Sequence, residues 1–264
     1  MAVALRVARS LNVRMTHRPI QRAPWSRWSD ERLLTLRFRE LRLSQPVAWV
    51  ARCHRRLLME LADRSLRVRP HVWLAEEWFS PRGIPGFAIP FYLAHPRLMR
   101  LERAQMHSVE GGTRTSCMAI MRHEAAHALQ HAHRLDRRAS WRAHFGASGT
   151  PYPDRYRPQR RSKRFVRHLP GWYAQSHPDE DFAETFAVWL RPGSRWRSRY
   201  ARWPVALAKL TYIDSLMHEL RDVRPPVTTR AQPLSIAQSS LTLGEHYRTL
   251  RRAHDAAPEG WLTL

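Results

Sequence analysis

The sequence predicts an α+β protein, with a small sheet packed on one histidine-bearing helix and a mainly helical C-terminal part. Three observations carry this. Residues 65–95 hold short apolar runs broken by Pro and Gly, the pattern of strands. An alanine-rich segment from about Ser116 to Leu135 has the length and composition of a buried helix. Two later segments, from about Pro178 to Leu190 and from about 204 to 220, carry apolar side chains at helical spacing. In the second of these Leu207, Leu210, Ile213, Met217 and Leu220 share one face.

The elements follow in order. Residues 1–28 form a basic arm with no acid before Asp30. Arginines interrupt it every few residues, so it lacks the apolar stretch of a secretory signal; its arginine content is that of a transit peptide, and a disordered arm is the simpler reading. Ser29-Asp30-Glu31 is a helix start with acids in the first turn, followed by an apolar face of Leu33, Leu34, Phe38 and Leu41. Pro46 opens a second helix to about Asp63, with Val47, Val50, Leu57, Leu58 and Leu61 as its stripe. LRVRPHVWLAEEWF and GFAIPFYLAH then read as strands, and LMRLERAQM as a further one. The sheet they form is expected to be antiparallel or mixed. Gly111-Gly112 is a turn, and residues 146–171 are a long loop rich in Pro, Gly and basic residues. Arg-Pro-Pro at 224–226 ends the last long helix, and a short amphipathic helix is expected around Leu241–Ala253. The expected division is a basic arm 1–28, N-terminal helices 29–64, a main domain 65–224 and a polar tail 225–264.

Composition narrows the classes. With 264 residues, 43% hydrophobic and 11 Trp, the chain is long and apolar enough to bury a core. The formal net charge of +23 attracts polyanions. The charge is spread through nearly every segment and no recognition motif accompanies it, so it predicts only non-specific polyanion binding through the arm. Cys53 and Cys117 are too few for a disulfide framework or a cysteine zinc ribbon. They read as buried small hydrophobes in a reducing, cytoplasmic setting. No apolar run reaches the roughly 18–20 residues of a membrane span.

The chemistry concentrates in MRHEAAHALQHAH, residues 121–133. On a helix His123 and His127 project side by side, so both imidazoles can reach one metal ion. Glu124 lies about 100° around the helix, out of place as a ligand but able to touch a water at the metal. The surrounding Met118, Ala119, Ile120, Ala125, Ala126, Ala128 and Leu129 favour a buried helix over a solvated one. This composition yields H-E-x-x-H by chance in roughly a few per cent of shuffled chains, so a third ligand is required. His131 and His133 read as a surface cluster without a role.

The third ligand is sought in GWYAQSHPDEDFAETFAVWL, residues 171–190. Ser176 or His177 caps this helix, Pro178 starts it, and Asp179, Glu180 and Asp181 fill its first turn, where acids need no metal to be favourable. Glu180 and Glu184, four apart, share a face, and Glu184 lies within an apolar stretch where an unpartnered carboxylate is costly. Glu180 is the expected zinc ligand and Glu184 the expected acceptor of a ligating histidine's other N–H. Asp181 is expected to be a capping acid. Tyr173, seven residues before Glu180, is either a packing side chain beside Trp172 or a donor to a developing oxyanion.

The Arg122–His127 motif, the Trp141–Gly146 segment and His177–Thr185 together resemble a bacterial family of zinc-binding metallopeptidases of gluzincin type, over roughly residues 65–220. The resemblance implies a zincin-like fold and hydrolysis of peptide or protein substrates, with GFAIPFYLAH or LMRLERAQM as the edge strand that lines the cleft and pairs with an extended substrate. It implies Zn²⁺ held by His123, His127 and Glu180, with Glu124 as general base, Tyr173 assisting catalysis and Glu184 supporting a ligand. Relatives with an N-terminal CxxC zinc ribbon differ from this chain, which has none, and Ala126 stands where many zincins have Gly. Two other readings stay open. One is a nucleic-acid-associated protease acting on DNA-bound proteins, with His144 as third ligand. The other is a metal-binding scaffold without turnover, which would have no need of Glu124.

Overall fold

A computed structural model describes residues 23–255 and 262–263. The basic arm therefore lies outside the described residues as far as residue 22. Its last part is anchored: Trp25 is buried, donates from Nε1 to Leu41 O at 3.2 Å and meets the His95 ring edge-on.

Helix α1 (Asp30–Leu34) is capped by the Ser29 hydroxyl, which accepts from Arg32 N, and it ends after five residues. The apolar face expected there continues through a 3-10 turn, Phe38–Leu41. Helix α2 (Ala48–Asp63) starts two residues after Pro46 and buries Val50, Leu57 and Leu61. The strands β1 (His71–Ala75) and β2 (Gly86–Pro90) pair in parallel, His71 with Gly86 through Ala75 with Pro90. Phe79 bridges Ala88 in the antiparallel sense. The small sheet is thus a parallel pair, not the antiparallel or mixed sheet expected, and the antiparallel contact is a single isolated bridge; β2 rests on the histidine helix.

Residues 98–106 correct the strand expectation. They lie in helix α3 (Pro96–Met106), whose N-terminus is capped by the His95 ring nitrogen accepting from Arg97 N at 3.0 Å. Pro96 stands in its first turn, where it costs nothing, and Leu98 and Leu101 are buried one turn apart. The short alternation in LMRLERAQM fits both periods, and the cap decides for the helix.

Helix α4 (Arg114–His133) runs through the core, capped by the Thr113 hydroxyl accepting from Ser116 N at 3.2 Å. Arg122 on α4 makes two hydrogen bonds to Glu60 on α2, at 2.7 and 2.9 Å, with only 2% of the Glu60 side chain exposed. That forked pair fixes α2 across the back of α4. Cys53 and Cys117, buried and free, are also on these two helices. After helix α5 (Ala139–Phe145), a two-residue strand β3 (Arg155–Tyr156) interrupts the long loop.

Helix α6 (Pro178–Leu190) packs along α4. Trp141 and Phe145 of α5 press on Phe182 of α6, with ring centroids 5.7 and 5.5 Å away. A one-turn helix α7 (Trp196–Arg199) leads to α8 (Pro204–Glu219), which packs on the other side of α6 and buries Leu210, Ile213 and Met217. The chain then runs back along β1, where Ile236 N donates to Leu74 O at 3.1 Å. Helix α9 (Leu243–Asp255) closes the core: Leu243 and Tyr247 are buried, and the Tyr247 hydroxyl donates to Glu102 on α3 at 2.8 Å. Strand β4 (Leu262–Thr263) pairs with β3.

Asp181 does more than favour the start of α6. Its carboxylate is paired with Lys209 of α8, with 3% and 9% of the two side chains exposed. Burial pushes the Asp181 carboxyl up to about 7 while the Lys209 ammonium pulls it down. Removing one partner of such a pair leaves an uncompensated buried charge, at about 3–5 kcal/mol. Lys209→Met is therefore expected to destabilise the protein by about that amount at pH 8. With its folded-state pKa above the unfolded value of about 3.9, Asp181 favours the fold at low pH and loses that benefit as pH rises. The destabilisation should therefore be smaller at pH 5, where Asp181 takes up a proton. Urea unfolding at both pH values measures this; equal losses would show that Asp181 stays ionised.

Candidate metal centre

The site forms where α4 meets the first turns of α6. His123, Glu124 and His127 are all buried on α4, with 3%, 6% and 8% exposure, which settles the question of a solvated helix. Alanines at 125, 126 and 128 carry little bulk and are fully buried, so α6 approaches closely. Glu180 and Glu184, buried on α6, face the histidines.

Three atoms converge. His123 Nε2 and His127 Nε2 are 3.1 Å apart, and Glu180 Oε2 is 2.9 Å from the first and 3.3 Å from the second. Ligands about 2.0–2.1 Å from a tetrahedral zinc lie about 3.3 Å from each other. The observed triangle is close to that size, and its donor set of two imidazoles and one carboxylate suits zinc. A further fit comes from Glu124, whose Oε2 is buried without a hydrogen-bond partner. His123, His127 and Glu180 could therefore hold a metal ion.

The remaining partners fix the orientation. His123 Nδ1–H donates to Glu184 Oε1 at 3.1 Å, which leaves Nε2 toward the triangle. The other Glu184 oxygen accepts from Leu169 N at 2.9 Å. Burial depresses the His123 pKa, but Glu180 and Glu184 outweigh it and hold the imidazole well above its usual range. Burial pushes Glu180 up, and His127 and His123 more than reverse this. Glu124 keeps the burial shift: its pKa is raised by desolvation, with the two histidines opposing.

Tyr173 comes from a 3-10 segment, Pro170–Gln175, that turns sharply at Gly171 (φ 79°) and Trp172 (φ 58°). Glycine adopts this left-handed geometry freely, whereas Trp172 bears roughly 1–2 kcal/mol of strain. The turn sets the Tyr173 ring 5.5 Å from the His123 ring. Burial raises the Tyr173 pKa, so the phenol keeps its proton. His144, by contrast, stacks on Tyr212 at 4.1 Å and bonds to Ser140 O, away from the triangle.

A cleft of about 320 Å³ opens over the three atoms, at the small end of ligand-pocket sizes. The expected edge strands do not line it. Its wall is the segment Trp78–Ser80, which follows β1 and meets β2 through the Phe79–Ala88 bridge and the Ser80 hydroxyl, which donates to Gly86 O at 2.9 Å. Trp78 lies so close to Gly111 that a side chain there would meet it at 2.8 Å. Among the polar lining residues, the sequence assigns His131, Arg82 and Tyr152 no role, and Asp179 only that of a first-turn acid. His131, half-buried and one turn beyond His127, is pushed down to about 4 by burial and stays neutral. Its spacing of eight from His123 was the available signal. Arg82 donates to the Ser148 hydroxyl at 2.9 Å, which donates to Asp179 at 3.0 Å. Asp179 also accepts from Gln130 at 2.9 Å. Tyr152, in the long loop, donates to Glu180 Oε1 at 2.9 Å.

Two buried helices thus offer two histidines and a glutamate to one point, a donor set that could hold a metal ion, with Glu124 Oε2 unpartnered beside them. Residues 99–195 match the family described as "Putative zinc-binding metallo-peptidase". The match runs from α3 to just past α6 and contains every residue of the triangle, where the sequence resemblance was drawn over 65–220. Among curated proteins and solved structures nothing matches the chain.

Zinc is expected to raise the unfolding temperature, since a ligand at 100 times its Kd adds about 2.7 kcal/mol. His123→Ala should abolish the shift. Glu184→Ala should weaken zinc binding by about 10–100-fold, and Glu184→Gln by less because an amide oxygen still accepts the imidazole N–H. Zinc titration against a chelator ranks the variants; binding lost in Glu184→Gln but kept in Glu180→Ala would exchange the two acids' places.

Proposed function

We propose that this chain is a zinc-dependent peptidase that hydrolyses peptide bonds. The observation that carries this reading is the buried, partnerless Oε2 of Glu124 beside the triangle of His123, His127 and Glu180. The family match over residues 99–195 supports it. A scaffold that only held metal would gain nothing from an unsatisfied buried carboxylate, which costs about 1–3 kcal/mol or more.

In this reading His123, His127 and Glu180 hold Zn²⁺, and Glu184 orients His123. Zinc, when bound, supplies a Lewis acid that polarises the scissile carbonyl and lowers the pKa of water. Glu124 takes the proton of the attacking water and passes it to the leaving amine. Burial suits Glu124 to this by raising its proton affinity. Tyr173 donates its phenolic proton in a hydrogen bond to the developing oxyanion. The zincin-like arrangement, with the substrate extended along the Trp78–Ser80 wall, belongs to the same proposal. His144 points elsewhere, so a three-histidine site of the nucleic-acid-associated kind has no support in the geometry.

Glu124→Gln is expected to keep zinc and lose hydrolysis, because an amide of the same shape cannot accept the proton. Metal content together with cleavage of a peptide library checks this; a variant still active would remove Glu124 from the chemistry.

The chain's other partners are proposed from charge and composition. Among the described residues no helix is long and apolar enough to cross a membrane. The two free thiols fit a reducing compartment such as the cytoplasm. Residues 1–22 carry five arginines and no acid, and are assigned non-specific polyanion binding. Deleting only these residues spares Trp25. The truncated protein should bind heparin or DNA more weakly, with a flatter salt dependence. An unchanged slope would place the relevant charges on residues 23–264.

A further inference from the structure

Glu180 carries two oxygens, and they have different neighbours. Oε2 lies 2.9 and 3.3 Å from the two histidine Nε2 atoms. Oε1 accepts from the Tyr152 hydroxyl at 2.9 Å. Tyr152 is in the long loop and 48% exposed, yet its ring is held: it stacks on His177 with centroids 3.6 Å apart and planes at 11°. The His177 ring is itself fixed at both nitrogens. Nδ1 accepts from Asp179 N at 3.1 Å, and Nε2–H donates to Thr150 O at 2.7 Å. Only 1% of that side chain is exposed.

We propose that Tyr152 is a positioning residue, which by holding Glu180 Oε1 presents Oε2 alone to the metal. The inference rests on the proposed zinc site and deepens it. A free carboxylate can ligate through one oxygen or chelate through both. Chelation would fill the coordination position that hydrolysis needs open. The Tyr152 O–H is a donor, and by occupying Oε1 it leaves Oε2 turned to the two histidines. Stacking alone would need only the ring. The hydroxyl is what ties the loop to the ligand, and it fixes the carboxylate before the metal arrives, which reduces the ordering cost of binding.

The experiment compares the full-length wild type with Tyr152→Phe and Tyr152→Leu. Phenylalanine keeps the stack and removes the hydroxyl, so the metal-free unfolding temperature should fall only by the loss of one hydrogen bond, and by less than in Tyr152→Leu. The zinc dissociation constant, measured against a competing chelator, should rise by about 10–100-fold in both variants, the usual scale for a group that orients a ligand. The cobalt-substituted protein gives the second readout. Wild type should show the intense visible bands of four-coordinate Co²⁺, and Tyr152→Phe the weaker bands of five-coordinate Co²⁺ as both Glu180 oxygens bind. Unchanged affinity and spectrum in Tyr152→Phe would overturn the inference. So would a loss of zinc affinity in Tyr152→Leu that Tyr152→Phe does not share, since the ring would then be the active part. Wild type that fails to bind zinc would overturn the metal-site reading itself, and the inference with it.

Discussion

The Glu184 carboxylate sets the geometry of the rest. It is fully buried, and a buried carboxylate is costly unless its oxygens are satisfied. One oxygen takes the His123 Nδ1–H and the other takes Leu169 N. Three pieces of chain are thereby tied together: α4, α6 and the end of the long loop. A shift of α6 along α4 would break both bonds in a place where water cannot replace them. The alanine surface of α4 is what lets the two helices come close enough for this link.

The acids of the first turn of α6 show how one electrostatic preference serves several ends. A helix N-terminus favours any acid nearby, by a few tenths of a kcal/mol up to about 1 kcal/mol when exposed. Here all three are buried, and each has its own partners. Asp179 meets Gln130 and Ser148, Glu180 faces the two histidines, and Asp181 pairs with Lys209. Successive residues on a helix point about 100° apart, so Asp179 and Glu180 meet α4 and the long loop at different points while Asp181 turns to α8. The start of α6 is thereby fixed to α4, to the long loop and to α8 at once.

The long loop is part of the site's architecture rather than a connection beside it. Ser148, Thr150 and Tyr152 grip the N-terminus of α6. Tyr156 donates to Gly171 O at 3.0 Å, and His168 donates to Ala119 O at 2.9 Å. The turn at Gly171-Trp172 is thus held from both sides, and it places Tyr173. In a chain with net charge +23, these contacts let a basic loop enclose a pocket built around buried acids.

How much of this was legible in the sequence follows from the range of each interaction. His123 and His127 share a face because of helical period alone, and Glu180 with Glu184 likewise. The bounds of α6 were written locally, by a histidine cap and a proline at the first turn. That an apolar helix should carry Glu184 already implied a buried partner. The segment 98–106 misled because nine residues of mixed pattern fit two periods, and only its cap and packing resolve them. Tyr152, His131, Arg82 and Lys209 could not be assigned, because each acts through residues distant in sequence or through a cavity. Tyr152 meets a residue 28 positions away, as Lys209 does. The sequence by itself determined which side chains share each helix face. Which faces meet, and which oxygen of a carboxylate looks inward, was decided only by packing α4 against α6, since a hydrogen bond constrains atoms within about 3 Å and helical period constrains only direction.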